Sequence, residues 1–413
     1  MVSQDNFTHL HVHSQYSLLD GMAPVSKLVD TAIANGQRAI ALTDHGNMFG
    51  IKEFVNYVNK INSGKAPEER FKPILGCEMY CAPGSMRDKE KTSSNKKYYH
   101  LIVLAKNLKG YHNLVKLVSR SFTEGFYSKP RTDHEDLKRY REGIIICSAC
   151  LGGEIPQMIM QGDLKGAEEA VKWFHDIFGD DYYLELQRHQ TFKEGGNRDV
   201  YPEQQKVNSV LIEFARKHGI KLIATNDVHF AEESDAEAHD RLICLSTNKK
   251  FSDDRMHYTK QEWLKSTREM SAIFSDIPEA IGNTHEIAEK VEFYSIDHAP
   301  VMPNFAIPEE FGSEEEYRSR ITEQELFDEF TRDENGQVVL SPEEAQKKID
   351  RLGGYDKLYR IKFEADYLEY LTMKGAKKRY GDPLPEEVAE RLRFELYIMK
   401  TMGFPGYFLI VQD

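Results

Sequence analysis

Side chains able to hold divalent cations recur through the first 230 residues at spacings that a folded sheet can bring together. His11 and His13 stand two apart in His9-Leu10-His11-Val12-His13, and Asp20 follows them. Thr43-Asp44-His45-Gly46, Gly76-Cys77-Glu78, Tyr99-His100-Leu101, Cys147-Ser148-Ala149-Cys150 and Asn226-Asp227-Val228-His229 add further donors. Alternate residues of a strand share a face, so His11 and His13 are expected on one side, with Leu10 and Val12 on the other. Asp227 and His229 repeat that spacing. Converging imidazoles and carboxylates suit Zn²⁺, Mn²⁺ or Fe²⁺, among which such donors select only weakly. Glu78 can bridge two ions. A metal pair ~3.5–4 Å apart lowers the pKa of bound water and stabilises both oxygens of an in-line phosphoester displacement.

Each donor alone has an ordinary alternative. A single strand-end histidine is more often hydrogen-bonded than ligating, and one HxH is weak evidence. The signal is HxH, DH, a strand Glu, a strand His and DxH falling in register on successive strands. His9 is expected to face away or to sit at the base of its strand. Cys147 reads as a core cysteine and Cys150, beyond the strand end, as the ligand candidate; Cys77, Cys81 and Cys244 read as packing residues.

These donors need a scaffold of alternating strands and helices. Strands are expected at Phe7–Val12, Ala39–Thr43, Pro73–Tyr80, Tyr98–Ala105, Gly143–Ser148, Tyr182–Gln187 and Lys221–Thr225, short and rich in Ile, Val, Leu and Tyr. Amphipathic helices are expected between them, including Val25–Asn35, Gly110–Ser121, Asp163–Phe178 and Pro202–Lys217. That alternation implies parallel pairing with right-handed crossovers, in a closed barrel or a doubly wound sheet. Six of the seven strands then place a metal-competent side chain at or near the C-terminal end, where α/β folds build their sites. Beyond Ile281 the pattern changes: Pro300, Pro303 and Pro308 mark an extended linker, and helices follow at Pro342–Arg351, Tyr355–Tyr370 and Pro385–Met402. The final apolar run, Phe404 to Val411, reads as the start of a buried element, as if the chain were a piece cut inside its second domain.

The 413 residues suffice for two or three domains. With 40% hydrophobic and 29% charged residues the chain is neither disordered nor membrane-spanning, and no apolar run nears the ~18 residues of a membrane helix. The first residues lack the apolar centre of a signal peptide, and five cysteines are too few for a disulfide framework, so a reduced, cytoplasmic setting is expected. The net charge of −13 hides an asymmetry. Residues 276–345 hold 19 acids against 4 bases, leaving +2 for the rest, and residues 86–142 hold 14 bases against 7 acids. The acidic total thus leaves a polyanionic partner open. Lys89, Lys91, Lys96, Lys97, Lys129 and Arg131 flank the proposed site and suit a phosphate backbone, or else form a solvated face. Tyr98, Tyr99, Phe122, Phe126 and Tyr127 read first as packing residues. Neither a phosphate-cradling glycine loop nor a GxSxG elbow occurs, which excludes P-loop hydrolysis and serine-nucleophile chemistry as supported readings.

The string His9-Leu10-His11-Val12-His13-Ser14 with Tyr16-Ser17-Leu18-Leu19-Asp20-Gly21 resembles the opening of the polymerase-and-histidinol-phosphatase (PHP) family. Thr43-Asp44-His45-Gly46, Gly76-Cys77-Glu78, Cys150-Leu151-Gly152-Gly153-Glu154 and Thr225-Asn226-Asp227-Val228-His229-Phe230 are similar to its later motifs. More narrowly, the chain resembles the N-terminal part of the bacterial replicative DNA polymerase III alpha subunits, and Lys400 to Val411 resembles the segment leading into their palm. The resemblance implies an α/β fold, a PHP-type distorted (β/α)7 barrel over residues 1–285. A smaller, mainly helical, incomplete palm region is implied over 286–413. It implies up to three divalent ions, Zn²⁺ first and Mn²⁺ or Fe²⁺ in its place. His11, His13, Glu78 and Asp227 would bind one ion; Glu78, His100 and Cys150 a second; Asp20, His45 and His229 a third. Glu78, Asp227 and His13 are expected to carry catalysis.

The implied function is a part of a replicative polymerase whose PHP domain is a metal-dependent 3′–5′ exonuclease. Its partners would be DNA at the primer 3′ end and other replicase subunits, the sliding clamp and clamp loader, with no membrane. The polymerase aspartates are expected after the final residue, so this piece is not expected to polymerise DNA. Residues 335–372 read as an insertion relative to the family. Two rivals stand beside this reading. The barrel can be a metal-stabilised structural module without catalysis, or the chain can be a phosphatase of small phosphomonoesters, against which the helical second region argues.

Overall fold

The computed structural model describes residues 7–18, 20–89, 98–298, 303–333 and 335–412. It divides into two units, Met1–Ile296 and Asp297–Asp413. The first contains α1 (Val25–Ala34), β1 (Ala39–Leu42), α2 (Ile51–Asn62), β2 (Lys72–Cys81), β3 (Tyr99–Ala105), α3 (Leu108–Thr123), β4 (Arg131–Thr132) and α4 (His134–Arg139). It continues with β5 (Ile144–Cys147), α5 (Glu154–Met160), α6 (Leu164–Phe178), β6 (Tyr182–Leu186), α7 (Val200–His218), β7 (Lys221–Ala224), α8 (Ala236–Thr247), α9 (Thr267–Ile273) and α10 (Pro278–Lys290). The expected boundary at 285/286 would cut α10, which packs against β7; the division falls instead after Ile296.

The sheet runs β1-β2-β3-β5-β6-β7, with the two-residue β4 beside the end of β2. Its pairing is mixed rather than parallel throughout. β3 lies antiparallel to both β2 and β5, and the remaining pairs are parallel. The segment from Phe7 to His13 is not the regular strand expected. It inserts between the two sheet edges through isolated bridges, His9 to Ile40 and Val12 to Val228. Ala41 N donates to His9 O at 2.8 Å and Thr43 N to Val12 O at 2.9 Å. On the other side His13 N donates to Val228 O at 2.7 Å and Val228 N to His11 O at 3.1 Å. These bonds close the curled sheet.

Alternation along the strands separates two apolar layers. Leu10, Ala39, Ala41, Ile74, Ile102, Leu104, Ile145, Tyr183 and Ile223 share the interior, closed off by Ile287, Ala288 and Val291 at the end of α10. The helices cover the outside. In α1, Val25, Leu28, Val29 and Ala32 repeat at i, i+3, i+4 and i+7 and are the buried residues of that helix. Asn107 caps α3, its side chain accepting from Gly110 N at 3.0 Å. Leu10 departs from the expected alternation. The backbone is irregular at His11, so Leu10 packs inside while Val12 packs outward with α1 and α2.

The second unit is helical: α11 (Glu314–Arg320), α12 (Glu323–Thr331), α13 (Pro342–Leu352), α14 (Tyr355–Tyr380), α15 (Glu386–Thr401) and α16 (Pro405–Gln412). Pro303 and Pro308 precede these helices within the unit, whereas Pro300 lies outside the described residues. Leu326, Phe330, Ile349 and Leu358 form one small core, and Tyr367, Leu368 and Leu409 another. Residues 335–372 therefore supply core side chains to this unit. Its acidic composition has a local cause. Glu316, Glu325 and Glu344 complete capping boxes with Ser313, Thr322 and Ser341, and further glutamates fill the same first turns. Carboxylates there offset the partial positive charge of helix N-termini. Among the described residues no helix is long and apolar enough to cross a membrane.

Leu10 is fully buried where the closing segment meets the interior layer. Leu10→Ala is expected to lower the unfolding free energy by about 2–4 kcal/mol in a denaturant titration. A loss well under that range would mean that the interior collapses around the gap.

Candidate metal centre

The rim of the closed sheet collects the donors. Glu78 lies inside β2, on the interior face, beneath the Thr43-Asp44-His45 turn to which it bridges. His11 and His13 come from the closing segment, Asp227 and His229 from the turn after β7, and Cys150 from the turn after β5. His100 occupies the second position of β3, not its end. Because β3 runs antiparallel, its start lies at the rim that its neighbours reach with their ends. Asp20 arrives on the loop after the closing segment.

All nine side chains meet in one connected cluster. His11 Nε2 stands 3.3 Å from Glu78 Oε1 and 3.1 Å from Asp227 Oδ1; His13 Nε2 stands 3.4 Å from Glu78 Oε2 and 3.3 Å from Asp227 Oδ1. Donors ~2.0–2.2 Å from a common ion are themselves about 3–3.5 Å apart, so these four side chains are spaced as ligands are. His45 Nδ1 lies 2.6 Å from Glu78 Oε2, and its Nε2 lies 3.1 Å from Asp20 Oδ2. His100 Nδ1 lies 2.8 Å from Glu78 Oε1, with Cys150 Sγ 3.8 Å from that oxygen and 3.7 Å from His100 Nδ1. The His229 ring is centred 4.4 Å from that of His13. Three sets of donor atoms each fall within 4.8 Å: His11, His13 and Asp227; His45, Glu78 and His100; His13, His45 and His229. These sets regroup the three ligand sets expected from resemblance, with His45 joining Glu78 and His13 joining His229.

Six donor atoms in this cluster are buried without a well-directed hydrogen bond, although five of them stand within ion-pair distance of one another: His11 Nε2, His13 Nε2, His45 Nδ1, Glu78 Oε2 and Asp227 Oδ1, with Asp20 Oδ1 the sixth. Polar atoms so placed are rare in folded interiors, and six in one cluster fit a site built for cations. The charges agree. Burial alone would raise the Glu78 carboxyl, but His100, His45 and His11 hold it well below the usual carboxylate range. Burial works the same way on Asp227, and His11 and His13 overcome it. Asp20 is drawn down to about 2, chiefly by His45 against the cost of burial. His45 itself, though buried, is pushed up to about 10 by Glu78 and Asp20. His13 falls to about 3 through burial and its neighbours His45 and His229, leaving a neutral ring.

Surrounding groups aim the ligating nitrogens. His11 Nδ1 pairs with Glu185 Oε1 at 2.7 Å, and His229 Nδ1 donates to Asp227 O at 2.8 Å. His13 Nδ1 meets Ser17 Oγ at 2.9 Å, whose hydroxyl donates to Asp44 Oδ1 at 2.8 Å. In the neutral rings this leaves Nε2 bare and turned to the cluster. Glu185 is the buried residue that sequence reasoning missed. It lies in β6, the strand with no assigned donor, and also accepts from Thr225 Oγ1 at 2.5 Å and Gln187 Nε2 at 3.1 Å. A carboxylate on the interior face of an apolar strand was the available signal. Backbone geometry contributes too. Asp227 and Ala149 are non-glycine residues at φ 46° and 64°, a left-handed turn before His229 and Cys150 respectively. A Cβ on Gly152 would sit 3.0 Å from His100 Cγ, so a side chain there would press on the imidazole and shift it by a few tenths of an ångström.

The other sequence candidates separate. His9 faces the Lys265 carbonyl at 2.8 Å, and Cys147 lies buried in the interior. Arg131 is buried, its guanidinium donating to the carbonyls of Gly125, Met86 and Asp88, and so is not a phosphate contact. Tyr99 packs in the wall, whereas Phe122 and Phe126 are exposed, not packed as expected. Lys89 is exposed; Lys91, Lys96 and Lys97 lie outside the described residues. Lys129 stays at the rim, 5.3 Å over the Tyr80 ring. A cavity of about 900 Å³ opens above the donors, lined also by Tyr98, Lys129, Arg198 and Tyr258.

Residues 9–189 match the PHP domain family, a stretch that holds seven of the nine donors; Asp227 and His229 lie beyond it. Residues 366–413 match the bacterial DNA polymerase III alpha NTPase domain. The chain is homologous along its whole length to bacterial DNA polymerase III alpha subunits. It is 38% identical to that of Borreliella burgdorferi over 100% of this chain and 30% of that protein. The subunit of Treponema pallidum is 38% identical, over 99% of this chain and 29% of that protein, and that of Thermus aquaticus 36%, over 100% and 33%. The chain thus spans about 30% of the length of the relatives it matches. Among solved structures, an amidohydrolase from Chromobacterium violaceum overlaps 54% of this chain and 87% of its own, with TM-score 0.35 and 14% identity. A protein described as a metal-dependent phosphoesterase from Bifidobacterium adolescentis overlaps 65% and 96%, with TM-score 0.32 and 11% identity.

Glu185 orients His11 without being a donor of the cluster. Glu185→Gln is expected to weaken divalent-ion binding about 10–100-fold in competition with a chelator. Unchanged affinity would show that His11 is held by packing alone.

Proposed function

We propose that this chain is part of a replicative DNA polymerase and that its PHP domain is a metal-dependent phosphoesterase acting on the 3′ end of DNA. The convergence of nine donor side chains on one cluster, with Asp20, His45, His100, Cys150, Asp227 and His229 lining an open cavity, carries the reading. His11, His13, Glu78 and Asp227 would hold one divalent ion; Glu78, His100 and Cys150 a second; Asp20, His45 and His229 a third. Zn²⁺ suits this donor set best, with Mn²⁺ or Fe²⁺ as substitutes. When bound, such ions supply Lewis-acid polarisation of a phosphoryl oxygen and an acidified water.

The chain's own groups prepare for that chemistry. Glu78 and Asp227 are ionised in the absence of any ion, and the neutral His13 presents a bare Nε2. His11 and His45, which their carboxylate neighbours keep protonated, and the buried Cys150 thiol would give up protons as ions load. Lys129 and Arg198 at the cavity mouth place positive charge where a phosphodiester would enter. Tyr98, edge-on to Tyr80 at 4.8 Å, offers a ring face for a terminal base. Tyr258 holds its hydroxyl 3.4 Å from His229 Nε2 and, kept protonated by burial, can donate to a phosphoryl oxygen. DNA at the primer 3′ end and the other replicase subunits, sliding clamp and clamp loader, are the proposed partners, in the cytoplasm. DNA-directed synthesis is proposed for the whole polymerase.

His13→Ala and Glu78→Ala are expected to lose several metal ions per chain by elemental analysis, together with release of 3′-terminal nucleotides from DNA. Full metal content in both variants defeats the assignment. The same cluster favours one other reading, since its donors tie together seven separated segments and ions there would stabilise the fold without catalysis. Chelation that lowers the melting temperature of a protein with no nuclease activity in any metal would select that reading.

A further inference from the structure

A second group of donors lies on the other face of the wall that bears Glu78. Cys81 ends β2 three residues after Glu78, so its side chain points outward, into the layer between sheet and helices. There it is buried beside His134, the first residue of α4, and Glu154, the first residue of α5. The three donor atoms fall within 4.8 Å of one another, and His134 Nε2 stands 2.8 Å from Glu154 Oε2. The His134 ring stacks on Trp173 with centroids 4.1 Å apart, which fixes its direction. Two further oxygens beside this group are buried without a hydrogen-bond partner, Thr132 Oγ1 and the Tyr182 hydroxyl. Thr132 pairs with Cys81 in the parallel β2–β4 ladder and so shares its face. Tyr182 stacks on Phe174, which meets the His134 ring edge-on. Burial, and next the Glu154 charge, push the Tyr182 hydroxyl up, which places that carboxylate in its surroundings.

We propose that Cys81 Sγ, His134 Nε2 and a Glu154 carboxylate oxygen form a separate transition-metal site of the Zn²⁺ class, behind the β2–β3 wall. One thiolate, one imidazole and one carboxylate are a sufficient zinc set when an oxygen donor, a hydroxyl or a water, fills the fourth position, and Thr132 on the Cys81 face is the neighbouring hydroxyl left without a partner. Binding releases the thiol proton to solvent. It moves the His134 Nε2 proton to Nδ1 of the same ring, or to solvent if the ring is charged, so that two coordinate bonds replace the His134–Glu154 hydrogen bond. Access is from the His134 side, the most exposed of the three side chains at 34%. Such an ion would also reach the rim indirectly. Glu154 follows the turn in which Gly152 O accepts from His100 N at 3.0 Å and Gly152 N meets Cys150 Sγ at 3.4 Å. Anchoring Glu154 fixes the turn that presents Cys150 and His100.

Cobalt titration of the chain carrying His13→Ala and Cys150→Ser isolates this site from the rim. One equivalent of Co²⁺ should still give a thiolate-to-cobalt charge-transfer band, and Cys81→Ser added to that background should remove it. Absence of the band in the folded background protein overturns the proposal. Cadmium NMR of the otherwise unaltered chain checks the same point without altering the rim. Two thiolate-shifted resonances are expected, one lost with Cys150→Ser and the other with Cys81→Ser. A single resonance lost with Cys150→Ser refutes the Cys81 site and leaves the rim site intact. A single resonance lost with Cys81→Ser does the reverse.

Discussion

The carboxylate of Glu78 is in contact with His11, His13, His45, His100 and Cys150 at once, and it is fully buried. An ionised carboxylate in that position costs several kcal/mol of desolvation unless positive charge surrounds it. The imidazoles alone supply that charge only by taking up protons, which is why His45 is driven so high while His13, crowded by like neighbours, is driven low. Cations would remove the conflict. The layout of the first unit follows from this one requirement: the closing segment, the turns after β1, β5 and β7, and the reversed β3 each bring a donor toward Glu78.

Much of that centre was legible in the sequence because its motifs are local. His11-x-His13, Asp44-His45 and Asp227-x-His229 announce themselves by spacing, and strand-end placement brings them to one rim. What escaped is non-local. Nothing within Tyr99–Ala105 says that the strand runs backwards, and the stretch between Cys81 and Tyr99 is long enough to read as a crossover. His100 was therefore assigned to the wrong end of its strand and still reached the site. Glu185 hid in a strand that reads as plain core. Leu10 broke alternation because closing a curled sheet demands an irregular segment rather than another strand.

Composition misled in a similar way outside the centre. Arg131 sits in a basic stretch yet spends its guanidinium on three backbone carbonyls, while Lys129 two residues earlier remains at the cavity mouth. The acidic stretch of the second unit is explained by helix starts rather than by a ligand. Charge counts locate a polarity; only the partners of each residue decide its use.

The bridge made by residues 7–13 between the two ends of the sheet has a consequence for synthesis on the ribosome. One of its anchors, Val228, is made more than two hundred residues after the segment itself. The nascent chain can pair this segment with β1 early, but the ring closes and the last donors arrive only after β7 has emerged. Early capture of a metal by the exposed HxH would then compete with correct closure, and a chaperone or slow ion uptake would favour the finished domain.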